Sequence, residues 1–154
     1  MSQKLVNKLI ADIKEARKSK FSDTTTTLIT IFSEAKSIAL KDNRKELIDS
    51  DILSSCVINL KEANEVIEIY KELDGKIAND NYLRGVRLKS FSEKYLPQQL
   101  TEAEIIYKVA KIISEVNAST MRDMGKVMKQ FKDENPDGTY DTKLVSKHVK
   151  SKLA

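Results

Sequence analysis

The sequence predicts an all-α protein of two helical bundles, a larger N-terminal one and a small C-terminal one of three helices. Three observations predict it. Four Gly and two Pro in 154 residues are too few to punctuate the many tight turns of a sheet protein. Apolar residues recur at spacings of three and four along most of the chain, the period of a helix with one buried face. Helix-start residues stand where several of those stripes begin. A chain of this length makes one domain, or two small ones at most, and buries enough surface to need no covalent staples.

The elements follow in order. Leu5, Leu9 and Ile13, flanked by Val6 and Ile10, form the stripe of a first helix that ends near Ser19 to Ser22. The β-branched run Thr24 to Phe32 resembles a strand, but Leu28, Phe32, Ala35 and Ala39 carry the helical spacing past strand length. A second helix is therefore expected, with Ser22 or Asp23 as its cap. Asp49 or Ser50 precedes a long third helix carrying Ile52, Leu53, Cys56, Leu60, Ala63, Ile67 and Tyr70, stopped by Asp74-Gly75. Tyr82, Leu83, Val86, Phe91, Tyr95 and Leu96 give a fourth, ending before Pro97. Thr101-Glu102-Ala103-Glu104 is a capping box that opens a fifth, with Ile105, Ile106, Val109, Ile112, Ile113 and Val116 as its stripe. Met121, Met124, Val127, Met128 and Phe131 line a sixth. Asp141 caps a seventh, with Leu144, Val145, His148, Val149 and Leu153 facing inward. The expected domains are residues 1–96 and 101–154, joined by a proline hinge at 97–100 around which the two move separately.

Charge narrows the function classes. The 27 Lys and Arg against 23 Asp and Glu net only +4, less basic than a generic nucleic-acid binder. The distribution is more telling. Residues 121–132 hold Arg122, Lys126, Lys129 and Lys132 against Asp123, and residues 140–154 hold four Lys against Asp141. Lys143, Lys147 and Lys150 follow spacings of four and three, which gathers them on one side of the last helix. The third helix instead carries Glu62, Glu65, Glu68 and Glu72, an acidic face better suited to protein than to RNA. With one Cys no internal disulfide forms, and no stretch approaches the ~18 to 20 apolar residues that span a bilayer. Met1 to Lys20 lacks the apolar run of a secretion signal. A cytoplasmic protein without membrane contact is expected.

Two blocks carry a family resemblance. Lys94-Tyr95-Leu96-Pro97-Gln98-Gln99-Leu100-Thr101-Glu102-Ala103-Glu104 resembles the hinge of the YqeY-like family. Val116-Asn117-Ala118-Ser119-Thr120-Met121-Arg122-Asp123-Met124-Gly125-Lys126-Val127-Met128 resembles its other signature, and Lys143 to Ala154 its closing helix. That family is similar to the tail domain of the B subunit of the tRNA-dependent amidotransferase, in which the tail holds the tRNA body while chemistry lies elsewhere. The resemblance implies an all-helical fold with a larger N-terminal bundle, and a family label of carbon-nitrogen ligase with glutamine as amido-N-donor that looks inherited from the larger enzyme. One departure concerns the turn before the last helix, where the family is typically small and basic: here Asp133, Glu134 and Asp137 stand among Lys132 to Tyr140.

Chemistry of the chain's own is thinly supplied. Its four glycines are isolated, and none opens a phosphate-binding loop. Ser54-Ser55 fall in a helix pattern with no base in view and read as helix surface. Cys56 lies on an apolar stripe and reads as a buried thiol. His148, beside Leu144 and Val145, reads as a partly buried structural residue. Met121, Met124 and Met128 read as flexible core packing, with a partner groove as the alternative. Gly125 inside a helix costs roughly 1 kcal/mol relative to Ala, and close approach of another helix is the expected compensation, ahead of a nucleic-acid backbone at an exposed amide. No catalytic residue, cofactor or metal is assigned. The expected function is a non-catalytic accessory protein that meets tRNA, or a tRNA-handling complex, through Lys126, Lys129, Lys143, Lys147 and Lys150. The alternative is a helical protein–protein adaptor that uses the acidic third helix and the Met-lined groove.

Overall fold

The computed structural model describes residues 2–136 and 138–154, so Asp137 of the acidic turn lies outside the described residues. It is all-helical: α1 (Lys4–Lys18), α2 (Ser22–Lys41), α3 (Asp49–Tyr70), α4 (Lys76–Tyr95), α5 (Glu102–Glu115), a 3-10 turn at Met121–Asp123, α6 (Met124–Glu134) and α7 (Thr142–Leu153). The chain divides into two compact units, Met1–Leu96 and Pro97–Ala154. Each has its own apolar core. No helix among the described residues is long and apolar enough to cross a membrane.

In the N-terminal unit, Val6, Leu9, Ile13 and Ala16 of α1 meet Leu28, Ile31 and Ala35 of α2 and Ile52, Cys56 and Ala63 of α3. Along the threonine run of α2, Thr25, Thr26, Thr27 and Thr30 each donate a hydroxyl hydrogen bond to the carbonyl four residues back, at 2.8–3.0 Å, which satisfies the hydroxyls within the helix. Ser22 begins that helix and does not cap it; the cap position is Phe21. Ile31 is fully buried where Phe32 was expected, and Phe32 is only partly covered.

Neither Asp49 nor Ser50 caps α3, since Ile48 holds the cap position. Asp49 reaches instead to the start of α1, accepting the backbone N–H groups of Leu5 at 2.8 Å and Val6 at 3.0 Å and the Ser2 hydroxyl. It thus supplies from 44 residues away the acceptor that the first turn of α1 lacks locally. Burial pushes the Asp49 carboxyl up, but the Ser2 hydroxyl and these N–H groups outweigh it and hold the group below its ordinary range.

Asp51, only 2% exposed, accepts two hydrogen bonds from the Arg44 guanidinium, at 2.6 and 2.8 Å, and one from the Ile48 N–H at 2.9 Å. The Arg44 bonds are the main cause that holds its carboxyl below the usual range. Asp51→Ala is expected to cost about 2 kcal/mol at neutral pH. A depressed native pKa gives stability that is fully present well above the ordinary carboxylate value and is lost as pH falls through the native one, here below about 4. Urea unfolding followed by circular dichroism should therefore show the gap between wild type and Asp51→Ala narrowing as pH falls from 7 to 3. A gap independent of pH would refute this origin.

α4 starts at Lys76, earlier than its apolar residues suggest, with Gly75 ahead of it at φ 107°. Its inner face is Ala78, Gly85, Leu88, Ser92 and Tyr95, whereas Leu83 and Val86 are exposed. Small residues seven apart let α3 come close. A Cβ on Gly85 would lie 3.0 Å from Val66 Cγ1 and 3.1 Å from Ile67 Cγ1, so a side chain there would push the helices apart. Ser55 is fully buried, a correction to the surface reading; its hydroxyl donates to the Ile31 carbonyl at 2.6 Å, and only Ser54 is exposed.

The C-terminal unit is built from α5, α6 and α7, each packed on the other two. The Thr101–Glu104 capping box forms as expected, with Glu104 N–H donating to Thr101 Oγ1 at 3.2 Å and Thr101 N–H to Glu104 Oε2 at 2.9 Å. Ile105, Val109 and Ile112 meet Val127 and Phe131 of α6 and Val145, Val149 and Leu153 of α7. Phe131 and Tyr140 pack edge to face, with centroids 4.8 Å apart. Gln99 donates to the Gly138 carbonyl, and Leu100 N–H to that of Thr139 at 2.7 Å, which ties the start of this unit to the turn before α7.

Candidate nucleic-acid interface

The two signature segments of the C-terminal unit are fixed by local capping. Asp141 Oδ1 accepts the Lys143 N–H at 2.9 Å and so opens α7. Val145, Val149 and Leu153 turn inward, which leaves Lys143, Lys147 and Lys150 on the opposite stripe, all exposed. At the other segment, Asp123 Oδ2 accepts the N–H groups of Ser119 at 2.9 Å and Thr120 at 3.2 Å. These two bonds are the main cause that holds the Asp123 carboxyl below its ordinary range; Lys126 adds to the effect. The 3-10 turn at Met121–Asp123 replaces the expected first turn of the sixth helix.

On α6, Val127 and Phe131 are buried, and Lys126 and Lys129 are exposed. None of the five candidate lysines makes an ion pair with another described residue. Lys132, exposed and three residues beyond Lys129, continues the same stripe and was left out of the expected set, although the i, i+3 spacing already marks it. The structure brings three lysines together along α7 and two, or three with Lys132, along the neighbouring α6.

Gly125 corrects the packing expectation. A Cβ built there meets nothing within 4 Å, so among the described residues of this unit no helix packs on it. It is exposed on the outward side of α6, one turn before Lys129. Met124 and Met128 pack against the core as expected, but Met121 is 44% exposed and lies outside it.

The remaining candidates for chemistry have structural tasks. His148 Nε2 and Glu102 Oε1 lie 3.0 Å apart, joining α7 to the first turn of α5, with the imidazole only 17% exposed. Cys56 is fully buried, and that burial pushes its thiol up to about 12, far from the thiolate a nucleophile needs. Ser55 is committed to the Ile31 carbonyl and lies one helical turn from Asn59, which donates to its Oγ at 3.2 Å. Among the described residues no group of three or more His, Cys, Asp or Glu is placed to hold a metal.

An all-helical chain with a capped, lysine-striped helix pair behind a tyrosine-leucine-proline junction defines a class in which fold and signature segments agree. The chain belongs to the Yqey-like protein family, whose pattern it matches over residues 6–153. No curated protein matches it.

Proposed function

We propose that this is a non-catalytic tRNA-binding or tRNA-amidotransferase-associated accessory protein. In this reading Lys126, Lys129, Lys143, Lys147 and Lys150 meet the ribose-phosphate ridges that flank a shallow RNA groove, where recognition rests on shape and phosphates more than on base identity. The observation that carries it is that all five ammonium groups are exposed, with no carboxylate of a described residue in ion-pair contact. The open helix surface at Gly125 supports it further, since a backbone phosphate can come closest where no side chain stands. The family's likeness to the amidotransferase tail domain points the same way. A second reading, the protein adaptor, is favoured by the apolar residues exposed on the α3–α4 hairpin.

The test is tRNA titration at several salt concentrations. Four or five phosphate contacts predict a log–log slope of about −3 to −4.5. Gly125→Ala is expected to raise thermal stability, because Ala is the better helix former by up to about 1 kcal/mol and its methyl meets nothing. The same change should weaken tRNA binding several-fold. A flat salt response would refute phosphate binding, and unaltered affinity in Gly125→Ala would remove that residue from the interface. With no Trp and five Tyr the protein absorbs weakly at 280 nm, so RNA retained during purification would dominate the spectrum.

A further inference from the structure

Two surfaces of the N-terminal unit are left unused by the fold and complement each other. The first is a groove between α1 and α2 with a cavity volume of about 410 Å³. Its floor is apolar, made by Ile10, Ile13, Ile29 and Phe32. Its rims are cationic on both sides, with Lys14 and Arg17 on α1 and Lys36 on α2, whose ammonium sits 4.8 Å from the centre of the Phe32 ring. Among the described residues no carboxylate lines it. The second surface is the far half of the α3–α4 hairpin. Beyond Ala63 no residue of α3 is buried. Ile69 is 60%, Leu73 55% and Ile77 78% exposed. Glu65 stands one helical turn before Ile69, and Glu72 follows in the turn just past the end of α3, both exposed.

None of Lys14, Arg17, Lys36, Glu65 and Glu72 is in an ion pair with another described residue. One surface is therefore an apolar trough between cations, and the other an apolar patch with Glu65 and Glu72 unpaired beside it, Lys71 being tied to Glu68 at 2.8 Å and Lys76 standing next to Ile77. The groove from Ile10 to Arg17 runs about two helical turns, or roughly 10 Å. Exposed apolar side chains of this size on an otherwise polar hairpin mark a contact surface. Docking an amphipathic helix into an apolar groove, with charge setting register, is a recurrent mode of association.

We infer that the chain self-associates by seating the Ile69–Leu73 ridge of one copy in the α1–α2 groove of another, with Glu65 and Glu72 meeting Lys14, Arg17 and Lys36. If each copy gives its ridge and its groove to the same partner, the contact closes as a two-fold dimer. The test is sedimentation velocity on full-length, RNA-free protein from micromolar to submillimolar concentration at low salt. The average mass should rise with concentration and fall back when salt is added. Lys14→Glu/Lys36→Glu and Glu65→Lys/Glu72→Lys should each weaken association about tenfold or more, and the fourfold swap combining them should restore it. All the substituted positions are exposed, and unchanged circular dichroism verifies the fold of each variant. A monomer at every concentration overturns the inference. So does an oligomer indifferent to both charge reversals, or a fourfold swap that stays dissociated.

Discussion

Phe131→Ala unfolds the C-terminal unit and leaves the N-terminal helices folded. Phe131 is 1% exposed, the largest fully buried side chain, and braced edge to face by Tyr140. Truncating such a ring costs about 3 to 5 kcal/mol, combining lost transfer energy with the cavity left behind. A unit of this size holds only about 3 to 9 kcal/mol in all. The loss is therefore comparable with the whole. The two cores are separate sets of residues, so the damage should stop at the boundary between Leu96 and Pro97. Amide exchange read residue by residue is the measurement. Protection should vanish along α5, α6 and α7 and persist in α1 to α4. Uniform loss throughout the chain would show that the two cores melt as one.

The second large effect is on binding. Lys143→Glu/Lys147→Glu reverses two of the three charges on the exposed stripe of α7 and touches no buried side chain. On the tRNA-binding reading, affinity at low salt should fall about tenfold or more, and the log–log salt slope should become shallower by about 1.5 as two phosphate contacts are lost. Lys126→Glu/Lys129→Glu should act in the same direction from α6. Lys41→Glu, an exposed lysine of the N-terminal unit, is the control and should change little. Equal losses in all three variants would mean diffuse attraction without a defined surface. Full affinity in the α7 variant would take these lysines out of the function.

What was legible in the sequence was local. The Thr101–Glu104 box and the Asp141 cap are fixed by residues three or fewer positions apart, so reading them requires no knowledge of the fold. The α7 lysines share a stripe by helix geometry alone once Val145 and Val149 define the inside. What was not legible depends on partners distant in the chain. The inner face of α4 is Ala78, Gly85 and Ser92 as much as Leu88, and small residues give no hydropathy signal of the close contact they permit. The open space beside Gly125 is a tertiary fact; isolated glycine in a helix is equally compatible with a packed neighbour. Ser55 reads as surface because its acceptor, the Ile31 carbonyl, lies on another helix.

Asp49 bears on how the chain is made. Of the helices of this bundle α1 is translated before the rest, and it is fifteen residues long, a length at which an isolated helix is marginal in water. Its cap residue Gln3 makes no side-chain bond, the Ser2 hydroxyl reaches only the Lys4 N–H at 3.5 Å, and the carboxylate that serves Leu5 and Val6 is translated only after α2. Nascent α1 therefore stays frayed through synthesis of the second helix and settles when the start of α3 emerges. The start of α1 is in this sense secured only after α2, although α2 is built later.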